Sequence, residues 1–394
     1  MKKGWKTKKL GEVCEFEGGS QPPKSQFIYE PRPGYVRFLQ IRDFGSDKNI
    51  TFIPESKKNR LCVEDDTLIG RYGASVGKIL TGKAGAYNVA LMKTVPNLGI
   101  LQREWFHSYL LSDGFQERLM NVASRSAQDG FSKEDISNFP IPVPPLPEQQ
   151  RIVGILDEAF GGLATAQAHA AQNLQNARDL FESHLNAVFT QRGDGWVEKT
   201  LGDVAQLKNG LNYNRDSKGQ TLPVVGVGDF QSNNLVPVDQ LQTVTIDGEL
   251  STDYSLQYGD VLTVRSNGSK DLVGRCMLVP KLSQTTSYSG FIIRIRVNMS
   301  EISPPFLLYF MKSSDTRDRL TRDGGGANIS NINQTKLAAL PLSLPPIAEQ
   351  NKLVNQLDAL SSETQRLTRI YEQKLAALSE LKKSLLHQAF SGEL

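Results

Sequence analysis

The chain has 394 residues, 39% of them hydrophobic and 22% charged, and its 45 Lys and Arg against 42 Asp and Glu leave a net charge of +3. That mix excludes a disordered chain and leaves room for two or three domains with sizeable cores. No run approaches the eighteen or so apolar residues of a membrane span, and no apolar run follows the basic start MKKGWKTKK as it would in a secretory leader. A cytoplasmic protein with no membrane partner is therefore expected.

Charge is unevenly spread: residues 1–146 carry 21 basic and 16 acidic side chains, hence +5, whereas residues 193–346 balance at 15 and 15. A basic first domain permits DNA binding. The odd set Cys14, Cys62 and Cys276 is too dispersed for a disulfide framework and reads as small buried hydrophobes of a reducing compartment. The histidines His107, His169, His184 and His387 have no metal-ligand spacing, and three of the four sit in helical patterns, so no metal is expected.

Along the chain, GWKTKKLGEVCEFEGG from Gly4 opens a region of short strand-like runs, YVRFLQI, DTLIGRY and YNVALMK. LQREWFHSYLLSDGFQERLM then reads as a helix closing the first domain, and FPIPVPPLPEQ as a proline-rich hinge before a long helix over about 147–190. Glu148 places negative charge in that helix's first turn, where its dipole favours it. Ile152, Leu156, Ala159, Leu163, Ala166 and Ala170 recur at alternating steps of four and three. Leu174, Ala177, Phe181, Leu185 and Val188 carry the stripe on after one extra step of four. Such a stripe predicts a coiled-coil seam.

The plan is then written a second time. GWVEKTLGDVAQLKNG from Gly195 repeats the opening block at an offset of 191, with TLPVVGV, DVLTVRS and GFIIRIRV as strands and PPFLLYFMKSSDTRDRL as the closing helix. LPLSLPPIAEQ is the second hinge, now offset by 201, with Glu349 in the role of Glu148. The second long helix, about 347–390, aligns Leu353, Leu357, Leu360, Thr364, Leu367, Tyr371, Leu375, Leu378, Leu381 and Leu385, with its irregular step at the matching place. Between the anchor blocks Asp66, Leu68, Arg71 and Val76-Gly77 resemble Asp260, Leu262, Arg265 and Val273-Gly274. The expected segments are thus a domain at 1–146, a helix at 147–195, a domain at 196–346 and a helix at 347–394. At 1.5 Å per residue such a helix spans roughly 65 Å. The first helix must carry the chain from one domain to the other and the second must return it. The expected fold is mixed α/β, with two similar α+β domains at opposite ends of an antiparallel two-helix coiled coil, related by a pseudo-twofold axis. Apolar residues off the stripe, Val153, Phe160 and Val354, are expected to meet partner helices.

Four short matches fail as catalytic motifs. Ile302–Leu307, ISPPFL, resembles an amino-methyltransferase motif, but the first copy reads LQREWF there, and a proline-initiated helix explains it. FEGGS lacks a strand-to-helix glycine fingerprint, and the GGG at 324–326 lacks a Walker ending. Asp65-Asp66 with Lys78 becomes Gly259-Asp260 with Arg275 in the second copy and reads as turn chemistry. For nucleic-acid contact the candidates are Arg71 and Tyr72 after DTLIG, and Arg265, Ser266 and Asn267 after DVLTV, because arginine pairs with guanine, asparagine with adenine and a hydroxyl with phosphate. Lys78, Lys83, Lys270 and Arg275 are candidate phosphate contacts. The glycine-bearing stretches SRSAQDGFS, with Arg125, and TRDGGGANISNIN, with Arg322, are candidate backbone contacts. Each of these also reads as ordinary polar surface.

With both openings, both PPLPEQ/PPIAEQ helix starts and the LLHQAFSGEL ending in place, the whole chain resembles the specificity subunit of a Type I restriction–modification system. One departure is Ala348 where the first copy has Pro147. The resemblance implies two target recognition domains that read the halves of a split double-stranded DNA site, and helices that set the spacer. It further implies docking of two modification subunits, which use S-adenosylmethionine to methylate adenine, and of restriction subunits that use ATP and magnesium. The chain itself would carry no cofactor and no catalysis. Ile152, Leu156, Leu163, Leu174, Leu353, Leu357, Leu367, Leu375 and Leu378 would serve the spacer and partner helices. The alternative of another function class is a coiled-coil interaction protein binding protein or glycan.

Overall fold

The computed structural model describes the chain apart from residues 1–3, 126–129, 192, 194, 215, 231–233, 270 and 322–330. It forms two compact units, one of Met1–Ala171 with Gln373–Leu394 and the other of Gln172–Glu372. The division falls inside both long helices, so each unit owns one globular part and a portion of each helix.

In the first unit a four-stranded sheet runs Cys14–Gly18, Leu91–Pro96, Leu68–Gly70, Ile79–Leu80, and a second runs Phe52–Pro54, Tyr35–Leu39, Gly85–Tyr87, Leu61–Cys62. The second unit repeats the first of these as Ala205–Asn209, Ile292–Val297, Val261–Val264, Cys276–Leu278. Its other sheet has three strands, Thr243–Thr245, Thr221–Val225 and Ser287–Tyr288. In both units one parallel pairing joins the second sheet, Leu39 opposite Tyr87 and Val225 opposite Tyr288. All four residues of Val261–Val264 are buried, as a central strand covered on both faces requires.

Two sequence expectations change here. The proline-rich hinges are strands: Pro140–Val143 pairs antiparallel with Lys6–Lys9, and Pro341–Leu344 with Val197–Thr200. A two-stranded pair needs an N–H from only every second residue, so alternate prolines cost it nothing, while Ile141 and Leu342 are buried. Each closing helix is two helices, Arg103–Leu111 with Asp113–Ala123, and Pro304–Lys312 with Ser314–Thr321. The breaks fall at buried Ser112 and Ser313, whose extended backbones leave the helix while their hydroxyls donate to Tyr109 O at 2.7 Å and Phe310 O at 2.8 Å. Ser303 stands before prolines in the first turn, so ISPPFL is a helix start as expected.

The long helices are Leu146–Thr190 and Ile347–Ser391. Within each unit the early part of one lies beside the late part of the other. In the first unit Lys382 lies over the Phe160 ring at 5.0 Å, and Arg151 donates to Leu394 O at 2.8 Å. In the second, Arg178 pairs with Glu372 at 3.1 Å. The pairing is antiparallel in both. Of the seam residues, Ile152, Leu156, Leu163 and Leu357 are buried, and Leu174, Leu353, Leu367, Leu375 and Leu378 are half-buried. Leu381 departs from the expected stripe at 48% exposure. Beyond Leu378 the buried positions are Leu386 and Ala389, with Leu386 one residue later than the stripe's Leu385, the drift expected because steps averaging 3.5 residues fall short of a 3.6-residue turn. Val153 and Val354 are also corrected: both are buried in the core of their own unit rather than facing outward, and Phe160 is half-buried beneath Lys382.

The repeated helix endings have a clear packing role. Phe390 lies 4.5 Å from Trp105 and 5.6 Å from Tyr109, between centroids, and Phe189 lies 5.2 Å from Phe306 and 5.6 Å from Phe310. Each closing helix is therefore covered by the terminal phenylalanine of the long helix that started from the other copy. All four histidines, not three, lie on helices. No helix of the described residues is long and apolar enough to cross a membrane.

Candidate nucleic-acid interface

Both units build the same loop from the same hydrogen bonds. After Leu68–Gly70, Arg71 N donates to Ala90 O at 2.9 Å. After Val261–Val264, Arg265 N donates to Phe291 O at 2.9 Å. Tyr72 bridges to Gly130, and Ser266 to Asn331. The candidate stretches before Lys133–Ser137 and Gln334–Ala338 are thereby stitched to the candidate readout loops. A Cβ on Gly130 would sit 2.6 Å from Tyr72 Cδ1 and 2.9 Å from Arg71 O, so this glycine serves an approach to the protein's own loop. A Cβ on Gly210 would sit 2.3 Å from Ser289 O, and one on Gly19 2.0 Å from Asn88 O, which explains the glycine closing each opening block.

The candidate side chains fall into two groups. Several guanidinium groups are occupied by backbone carbonyls. Arg71 donates through Nε and Nη2 to Phe131 O at 3.3 Å and through Nη1 to Val89 O at 3.4 Å, and its guanidinium lies 5.0 Å from the Tyr72 ring centroid. Arg265 reaches Gly290 O at 3.5 Å, and Arg275 donates to Asp271 O at 2.9 Å and Phe230 O at 3.1 Å. Lys83 pairs with Asp47 at 2.6 Å, and Lys83 and then Arg37 hold the Asp47 carboxyl below its usual range. Lys78 and Arg125 are exposed, and Tyr72, Ser266 and Asn267 are half-buried. Lys270 and Arg322 lie outside the described residues.

Ser266 and Asn267 line an open concavity of about 710 Å³ with Leu211, Asn212, Tyr213, Gly226, Val227, Gly268, Ser289 and Phe291. Among the described residues no charged side chain lines it. It offers amides, hydroxyls and two aromatic rings, a set that reads hydrogen-bonding edges and apolar groups rather than holding an anion. The carboxylates Asp66 and Asp260 are turn and ion-pair residues. Asp66 accepts from Val63 N at 2.9 Å. Asp260, 1% exposed, accepts from Gln257 N at 2.8 Å and takes Arg296 through two 2.7 Å bonds. Burial pushes the Cys14 thiol up to about 12 and those of Cys62 and Cys276 to about 11, so none is a nucleophile near neutral pH.

Sequence reasoning missed one pair entirely. Gln149 and Gln350 are fully buried. Gln149 Oε1 accepts from Gln102 N at 2.8 Å, and its Nε2 donates to Ile100 O at 2.8 Å and Pro144 O at 2.9 Å. Gln350 does the same with Ser303 N, Glu301 O and Pro345 O, at 2.8, 2.9 and 2.9 Å. Each amide locks a long helix to the start of its closing helix. A signal was present: Gln149 lies three residues before Ile152 and seven before Leu156, on the buried stripe, and its copy is also glutamine.

The chain matches the family described as Type I restriction modification DNA specificity domain twice, over residues 2–170 and 193–376. It is 22% identical to the Type I restriction enzyme StySPI specificity subunit of Salmonella potsdam, over 100% of this chain and 90% of that one. It is 23% identical to the EcoKI specificity subunit of Escherichia coli K12, with the same coverage. The fold is shared with a chain from a structure of type I R-M complex assembly, at TM-score 0.79 and 20% identity over 100% and 99% of the two chains. It is shared also with the HsdS subunit from Thermoanaerobacter tengcongensis, at TM-score 0.58 and 21% identity over 100% and 98%. Two matched segments, each covering one copy of the repeat, place this chain in the family of Type I restriction–modification DNA specificity subunits.

Proposed function

We propose that the chain is a non-catalytic subunit that reads a bipartite duplex DNA site, one half per unit, and scaffolds the enzymes acting on it. The observation that carries this reading is the duplicated loop, Arg71–Tyr72 tied to Ala90 and Gly130, and Arg265–Ser266 tied to Phe291 and Asn331. Two copies of one presenting surface suit a ligand with approximate twofold symmetry, and duplex DNA has it. In this reading Arg71, Arg265 and Arg275 are positioning residues that hold the loops. Tyr72, Ser266 and Asn267 face bases or sugar, and Lys78 and Arg125 meet phosphate, joined by Lys83, Lys270 and Arg322. The seam leucines set the spacer. The equivalent Leu180 and Leu381, 52% and 48% exposed, are left for two modification subunits. S-adenosylmethionine, ATP and magnesium belong to the modification and restriction partners. Membership of the family displaces the protein- or glycan-binding alternative.

The test is duplex binding by the full chain with its modification partner. Specific affinity should fall steeply as salt rises, since each neutralised phosphate releases counterions. Binding that ignores both sequence and salt would refute the reading.

A further inference from the structure

The two units present different side chains at one equivalent point of their matched loops. Arg265 N binds Phe291 O where Arg71 N binds Ala90 O, so Phe291 stands where the first unit has a methyl group. Phe291 is 60% exposed, yet its surroundings are fixed. Ser289 N donates to Val225 O at 2.9 Å, Gly290 N to Leu211 O at 2.6 Å and Ile292 N to Ser289 O at 2.9 Å, and Ile292 is fully buried. A large apolar ring held in water on a rigid backbone is pre-organised for contact, because only its two side-chain torsions remain to be ordered. It shares the concavity with the amides of Asn212 and Asn267 and the hydroxyl of Ser266. Among the described residues no charge lines the concavity, and amides beside an apolar ring match an adenine edge beside a thymine methyl.

We infer that Phe291 is a specificity-determining residue of the second unit, contacting the 5-methyl group of a thymine while Asn212 or Asn267 takes the edge of an adenine. This rests on the proposed DNA reading and adds to it the base chemistry of one half-site. The first unit, with Ala90 in that place, lacks the contact.

The experiment first selects the preferred duplex from a random library with the full chain and its modification partner. Each thymine is then replaced singly by deoxyuridine, which removes only the methyl group. Wild type should lose about fourfold in affinity at one thymine, the worth of one buried methyl group. Phe291→Ala should bind the thymine duplex more weakly and be indifferent to that replacement, and Phe291→Leu should keep part of the discrimination. The inference is overturned if wild type is insensitive at every thymine, if the selected site has none, or if Phe291→Ala discriminates as wild type does. Absence of any selected sequence would instead sink the DNA reading itself.

Discussion

Replacing Gln149 with leucine keeps the side chain's approximate volume and removes its amide. Three backbone groups then lose their partner: the Gln102 N–H that starts the closing helix, the Ile100 carbonyl, and the Pro144 carbonyl before the long helix. Gln149 is fully buried, so water cannot replace the lost bonds without opening the site. At roughly 1–2 kcal/mol for each unsatisfied buried group, the loss is about 3–6 kcal/mol. A unit of this size shifts its melting temperature by roughly 2–4 °C per kcal/mol, so Gln149→Leu should lower the first unit's transition by at least about 6 °C. The mirror variant Gln350→Leu removes the bonds to Ser303, Glu301 and Pro345 and should act on the second unit. Calorimetry gives the size of each loss, and hydrogen exchange followed by mass spectrometry gives its place. A loss under about 1 kcal/mol, or exchange rising equally in both units for either variant, would refute the reasoning.

Arg296→Met strands the buried Asp260 carboxylate and should destabilise the second unit by about 3–5 kcal/mol in denaturant titration. Lys93→Met, whose contact to the more exposed Asp66 is 3.8 Å, should cost far less. Burial and then nearby Lys382 lower the His107 pKa from its ordinary 6.5, while Glu104 opposes them. Folding therefore favours the neutral ring: the first unit should keep its full stability above about pH 6.5 and lose some as the pH falls below it, and His107→Gln should flatten that loss in pH-dependent melts. Deleting residues 164–170 together with 365–371 keeps a heptad seam in phase and removes roughly 10.5 Å of helix, about three base pairs. Both half-sites should survive, with a spacer shorter by up to about three base pairs; an unchanged spacer would leave the helices as a docking platform.

Much of this was written in local periodicity. The stripe from Ile152 to Val188 located the first long helix to within a residue, because a sustained apolar repeat has few other solutions. Duplication makes the motifs legible from sequence: Gly259 stands opposite Asp65 and Gln102 opposite Ser303, which argues against catalytic roles. What stayed hidden was nonlocal. Prolines at Pro140 and Pro142 resemble a hinge until Lys6–Lys9 arrives from the other end of the domain to pair with them. Ser112 and Ser313 look like tolerable helix residues until their burial is known. Val153 and Val354 read as outward-facing because seam periodicity cannot register the domain packed on the helix's first turns. The fates of Arg71 and Lys83 turned on carbonyls and an aspartate distant in sequence.

The central claim is that each unit reads its own half of one split site. Its most direct test is selection from a random duplex library by the wild-type chain, and by a Ser266→Ala, Asn267→Ala variant, each with the modification partner. Wild type should return two short half-sites separated by a spacer of fixed length and arbitrary sequence. The variant should relax one half and leave the other half and the spacer intact. A single contiguous motif, or relaxation of both halves together, would contradict the account.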